Sequence, residues 1–337
     1  MKNPIGWALY ALAFTLSAAF GSEVNVYSAR EEALIKPLLD RFSRETEIKV
    51  NLVTGEADAL LARLVSEGRN TPADVFITVD AGRLHRAKRE GILQPLRDPA
   101  LEQGVPAQYR DPEGYWIGLS RRARVIFYAK ERIDPAHLST YENLADPKWN
   151  KRICVRSSDN IYNQSLVASL IAADGEAATE SWIRALVANM ARSPQGGDRD
   201  QIAAVAAGQC DLALANTYYY GVMLNNTADP GQRKAAEQVS LFWPNQAGRG
   251  AHVNVSGAGV TRHAQRRDEA LRLLAFLLAS EAQRWYADVN YEYPMREGIP
   301  SRILGSWGPF KADPLNLSVL GDLNAQAVKL MDRAGWR

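Results

Sequence analysis

The segment ANTYYYGV, Ala215 to Val222, sets three phenols side by side in a chain with only 4 histidines and 2 cysteines. Tyrosines half-buried in a sheet are one sufficient reading of such a run. A continuing strand would send Tyr218 and Tyr220 to one face and Tyr219 to the other. The triplet nevertheless follows the strand-like CDLALAN, where the chain leaves a sheet, and loss of alternation there turns adjacent Tyr218 and Tyr219 into one cleft. Tyr220 then faces away and packs, with Gly221 giving the backbone freedom to bend. Tyr162, in SSDNIYNQS, stands after another strand at a helix start, and Glu31, Glu32 and Asp80 end strands in the first half. Tyr27 is one more donor, but its place inside the VNVYS strand favours a core role. Together these are hard oxygen donors, which suit hard cations, and phenolates suit a strongly polarising trivalent one. A free phenol has a pKa of about 10, so coordination at neutral pH requires a cation able to expel the proton, as bound metals do for water. The donor chemistry points to Fe(III) rather than calcium or magnesium.

The elements that must position these residues alternate. EVNVYSAR reads as a strand, and EEALIKPLLDRFSRETE carries Leu34, Ile35, Leu38, Leu39 and Phe42 at helical spacing. IKVNLVTG and EADALLARLVSEG repeat the pair, and PADVFITVDAG followed by AGRLHRAKREG repeats it again. Such β-α-β-α-β-α order predicts a mostly parallel, twisted sheet with helices on both faces. Ligands bind such sheets beyond the carboxyl ends of the strands. Further on, GLSRRARVIFYAK, RICVRSS, CDLALANTYYY and HVNVSGAGV read as strands, NIYNQSLVASLIAADG as a helix capped by Asn160, and RDEALRLLAFLLASEAQRWYAD as one long amphipathic helix. The glycines of VSGAGV read as strand packing. Extended passages near 118–125 and 243–255 are the candidate crossings of a hinge, which makes both lobes discontinuous: 22–120 with 250–297, and 121–249 with 298–337.

Length and composition bound the rest. At 337 residues and 46% hydrophobic, the chain can bury a large core and tends to divide in two. A formal net charge of +2 leaves no electrostatic footprint for nucleic acid or an anionic membrane, so a small partner is expected. Lys2, the apolar stretch from Ile5 to Ala18 and the small residues around Gly21 form a secretory signal, residues 1–21, with export to the periplasm. No lipobox cysteine follows it. In an oxidising compartment Cys154 and Cys210, both in strand-like segments, are expected to form a disulfide; two separate buried thiols are the alternative. No P-loop, G-x-G-x-x-G after a strand, H-E-x-x-H or G-x-S-x-G occurs, so the reading is a receptor that closes on a ligand and not an enzyme.

The segments NVYSAREEALIKPLLDRFSRETEIKVNLVTG, PADVFITVDAGRL, DPKWNKRICVRSSDNIYNQSLVASLI, ANTYYYG, HVNVSGAGV and NYEYP together resemble the periplasmic ferric-ion-binding proteins, substrate-binding components of iron(III) ABC transporters. The resemblance covers essentially the whole mature chain. It implies a two-lobed α/β fold of the type II periplasmic-binding-protein kind, similar to one transferrin lobe, each lobe a mixed, mostly parallel sheet flanked by helices. It implies Fe(III) as cargo, a synergistic anion such as carbonate, and a monomer that delivers to the ABC permease and ATPase. In relatives the adjacent tyrosine pair ligates iron, which falls on Tyr218 and Tyr219, and several use the tyrosine matching Tyr162. Where relatives supply a histidine or tyrosine after YSxR, this chain has Glu31 and Glu32. Either carboxylate, Asp80, or water and an anion would then complete the first-lobe side. Arg122 matches an arginine near the iron in some relatives, where it would hold the anion or balance phenolate charge; a hinge salt bridge is its other reading. The runner-up function is a receptor of the same architecture for an oxyanion, a polyamine or a ferric chelate.

Overall fold

The computed structural model describes residues 22–337, so the expected signal segment lies outside the described residues. Three strand–helix pairs open the chain: β1 (Glu23–Ser28) and α1 (Glu32–Thr46), β2 (Lys49–Thr54) and α2 (Ala57–Glu67), β3 (Val75–Val79) and α3 (Ala81–Arg89). β2, β1 and β3 lie in that order and run parallel, as the alternation requires. α1 is helical because Ile35, Leu38, Leu39 and Phe42 recur on one face, and all four are buried. β4 (Leu93–Gln94) and α4 (Pro99–Gly104) lead into β5 (Ile117–Ala129), a 13-residue strand.

β5 belongs to two sheets. Its first half pairs antiparallel with β9 (Val253–Thr261), which itself pairs antiparallel with β3. Its second half, from Arg124, pairs with β7 (Leu212–Asn216) and, from Ile126, with β8 (Val239–Phe242). Two mixed sheets are thus joined through one continuous strand, and the chain returns between them in the stretch from Phe242 to Val253. β9 is buried throughout. A Cβ at Gly257 would stand 2.5 Å from the Ile117 carbonyl oxygen, and one at Gly259 2.7 Å from that of Tyr115, so these glycines allow close strand packing.

Within the second sheet β6 (Ile153–Cys154) runs parallel to β7, which places Cys154 beside Cys210; the two form a disulfide, with Cα atoms 5.9 Å apart. α5 (Ile161–Asp174), α6 (Glu176–Asn189), α7 (Asp198–Ala206), α8 (Thr217–Leu224) and α9 (Pro230–Glu237) surround this sheet. The expected long helix after residue 267 is two, α10 (Arg267–Leu277) and α11 (Ser280–Asp288), because Ala279 is extended and starts the second afresh. β10 (Tyr293–Pro294) then pairs with β5 at Ser120 and Arg121. α12 (Arg302–Ser306), α13 (Ser318–Asp322) and α14 (Asn324–Arg333) close the chain. α13 packs against both α3 and α5, and α14 against α5 and α6. None of the helices among the described residues is long and apolar enough to cross a membrane.

Candidate metal centre

The tyrosine triplet corrects one expectation. β7 stops at Asn216 and residues 217–224 are helical, so the tyrosines occupy the first turn of α8 and not a strand. The strand end is pinned: Asn216 N donates to Asp198 Oδ2 at 2.7 Å, and Ala123 N donates to Thr217 Oγ1 at 3.4 Å. On a helix, neighbours point about 100° apart, which lets Tyr218 and Tyr219 share a side with ring centroids 4.1 Å apart. Tyr220 turns inward. Its ring packs on Phe127 at 5.2 Å and Trp307 at 5.9 Å, and its hydroxyl donates to Val239 O at 3.1 Å. Gly221 serves a close approach and not a bend, since a Cβ there would meet the Tyr291 ring at 2.5 Å.

Tyr162 arrives from α5. Its amide donates to Asn160 Oδ1 at 3.0 Å, the expected N-cap, and Tyr218 Oη donates to Tyr162 Oη at 3.3 Å. Three phenols from two helix starts therefore converge. Arg122, on β5, is 2% exposed; Nη1 donates to Ser256 Oγ at 2.8 Å, while Nε and Nη2 have no partner among the described residues. Its guanidinium carbon lies 5.5 Å from the Tyr162 ring centroid, and that of Arg156 lies 5.9 Å from the same centroid. Arg124 is spent on structure: it pairs with Asp198 at 2.9 Å and donates to Asn163 at 2.7 Å. Arg30, beside Glu31, is buried and paired with Glu292 at 3.0 Å.

Burial pushes the Tyr218 hydroxyl well above its ordinary pKa, the neighbouring Tyr162 and Tyr219 push the same way, and the Arg122 charge opposes them. Tyr219 is also raised, first by burial, then by Tyr162 and Asp198, against Tyr218 and Arg156. Both shifts favour the neutral phenol. A cation bound through these oxygens would have to displace their protons, which suits a small trivalent ion better than a weak polariser.

The first-half carboxylates are arranged differently. Glu31 and Glu32 are exposed at the start of α1, where the Glu31 side chain makes no capping bond. Asp80 is fully buried with both oxygens engaged: Oδ1 accepts from Gly82 N at 2.8 Å, and Oδ2 accepts from Ser165 Oγ at 2.8 Å and Asn254 Nδ2 at 2.7 Å. Burial raises its pKa and Arg122 draws it back. Tyr27 is committed elsewhere, its hydroxyl donating to Glu67 at 3.0 Å beneath the Arg63 guanidinium. Among the described residues no group of three or more histidines, cysteines and carboxylates is placed to hold a metal. Sequence reading missed Arg30, Arg156 and Asp198, each ordinary in its own segment.

Two mixed sheets joined by a shared strand are an architecture of solute-binding proteins. Residues 70–304 match the family described as bacterial extracellular solute-binding protein, and the chain belongs to it. Among its relatives is iron uptake protein A1 of Synechocystis, 51% identical over 94% of this chain and 88% of that protein. Similar solved structures include the Trichodesmium protein IdiA/FutA in complex with iron and citrate, at 48% identity and TM-score 0.91 over 94% of this chain and all of that one. The ferric binding protein of Campylobacter jejuni superposes with TM-score 0.88 at 37% identity, over 93% of this chain and all of that one.

Proposed function

We propose that this protein captures Fe(III) in the cleft between its lobes, with Tyr162, Tyr218 and Tyr219 as phenolate ligands. The observation that carries the reading is the convergence of three phenol oxygens, two of them half-buried and raised in pKa, beneath guanidinium groups. The lobes divide at β5 and at 243–252, giving 22–120 with 250–297 and 121–249 with 298–337. The free edge of Arg122 supports a small anion, such as carbonate or a carboxylate, in the remaining coordination positions, in keeping with the citrate in the Trichodesmium complex. Glu31 and Glu32 are the first-lobe carboxylates with oxygens free to add to that shell, whereas those of Asp80 are already engaged. The protein acts as a periplasmic monomer after removal of residues 1–21, releases its cargo to the permease and ATPase of an ABC transporter, and performs no chemical turnover. Aerobic titration with Fe(III) tests this: tyrosinate-to-iron charge transfer colours the solution in the visible, and a colourless titration would transfer support to an oxyanion or polyamine receptor.

A further inference from the structure

Asp80 occupies the junction of the two lobes. From its own side the carboxylate is held by Gly82 N, at the start of α3, and by Asn254 Nδ2 on β9. Its third donor, Ser165 Oγ, comes from α5 in the other lobe. Ser165 is three residues after Tyr162, so hydroxyl and phenol share one face of α5. A second contact spans the same interface: His85 Nε2 on α3 lies 2.9 Å from Asp322 Oδ1 on α13, whose Gly321 sits against the His85 ring.

We propose that Asp80 is a positioning residue and not a ligand: with Ser165 it forms a catch between the lobes that holds the Tyr162-bearing helix closed over the metal and sets the rate of iron release. The inference rests on the ferric reading of the cleft. Opening separates Ser165 from a carboxylate that stays anchored in its own lobe, so the contact exists only in the closed state and biases the equilibrium toward it. Hydrogen bonds to a buried carboxylate are among the stronger ones, and losing a donor leaves the acceptor short of a partner.

Asp80→Asn disturbs the α3 cap as well as the catch, so Ser165→Ala is the sharper variant, because it removes one hydroxyl and leaves the cap and the Asn254 bond in place. Iron-loaded protein is mixed with excess chelator and loss of the visible band is followed in time. Ser165→Ala is expected to release iron about tenfold faster with the band maximum unchanged, and Ser165→Thr to restore the slow rate. Ser169→Ala, which removes a hydroxyl bonded within the same helix to Leu166 O, is expected to leave the rate alone. A coloured Ser165→Ala protein releasing at the wild-type rate overturns the catch, as does a shifted band in Asp80→Asn, which would make Asp80 a ligand. Wild-type protein without a visible band overturns the ferric reading instead, so the two failures are distinguishable.

Discussion

Phenylalanine placed in turn at residues 162, 218, 219 and 220 separates ligands from packing by two readouts that move in opposite directions. At Tyr220 the lost hydroxyl donates to Val239 O at 3.1 Å inside the core, so the change costs about 1 kcal/mol of stability. In a chain of this size that lowers the melting temperature by roughly 1–2 °C. The ring stays packed on Phe127 and Trp307, and the iron band should keep its full intensity. At Tyr218 the hydroxyl makes only the long 3.3 Å bond to Tyr162, and burial already disfavours its charge. Its removal should leave metal-free stability within about 0.5 kcal/mol of wild type. Iron affinity should instead fall at least about a hundredfold, since even outer-shell partners of a metal contribute ten- to a hundredfold, and the band should weaken or shift. Thermal melts of metal-free protein and spectrophotometric iron titrations of the four variants decide the matter. If Tyr220→Phe abolished the colour, and Tyr218→Phe kept it while melting earlier, the assignment within the triplet would be wrong.

Two further predictions concern stability. His252 is buried and its pKa is depressed to about 3, first by burial and then by the charges of Arg124, Arg249 and Arg122. The unfolded chain takes up that proton below pH about 6.5, so this contribution is complete above that pH and lost as pH falls, by about 2 kcal/mol at pH 5. Urea denaturation at pH 7.5 and 5 should show His252→Gln losing correspondingly less than wild type; equal losses would refute the assignment. The disulfide closes a loop with a sequence separation of 56, for which chain entropy gives about 4 kcal/mol. Replacing Cys154 and Cys210 together with serine should lower the denaturation midpoint accordingly, and an unchanged midpoint would show that the bridge adds nothing.

Where local periodicity and burial agree, the sequence was readable. Leu34 to Phe42 declared α1, and Asn160 announced the start of α5 through its cap. The tyrosine triplet was legible as donors but not as a helix. Consecutive aromatic residues favour a strand on propensity, and here the outcome is decided by Asp198 and Ala123, which hold Asn216 and Thr217 from outside the segment. The apolar run through Leu278 hid the break at Ala279 for the same reason, because its pattern continues while the backbone does not. Asp80 looked like a free carboxylate at a strand end, and only the positions of Ser165 and Asn254, 85 and 174 residues away, reveal that its oxygens are occupied. Arg30 and Arg156 carry no signal in one dimension, since their meaning lies in pairs with Glu292 and Asp198.

The placing of β9 between β3 and β5 has a consequence for the order in which the molecule assembles. The first sheet needs a strand from residues 253–261, while the strands of the second lie between Arg124 and Phe242. Contacts closer in sequence form sooner, so the second sheet should form first and the first sheet should remain unsealed until about three quarters of the chain is available. Pulse-labelled hydrogen exchange during refolding should protect the amides of Phe127 and Leu214 before those of Ile77 and Ala258; the reverse order would refute this. In a member of an extracellular family, late insertion of β9 delays closure of the amino-terminal core until most of the polypeptide has been delivered.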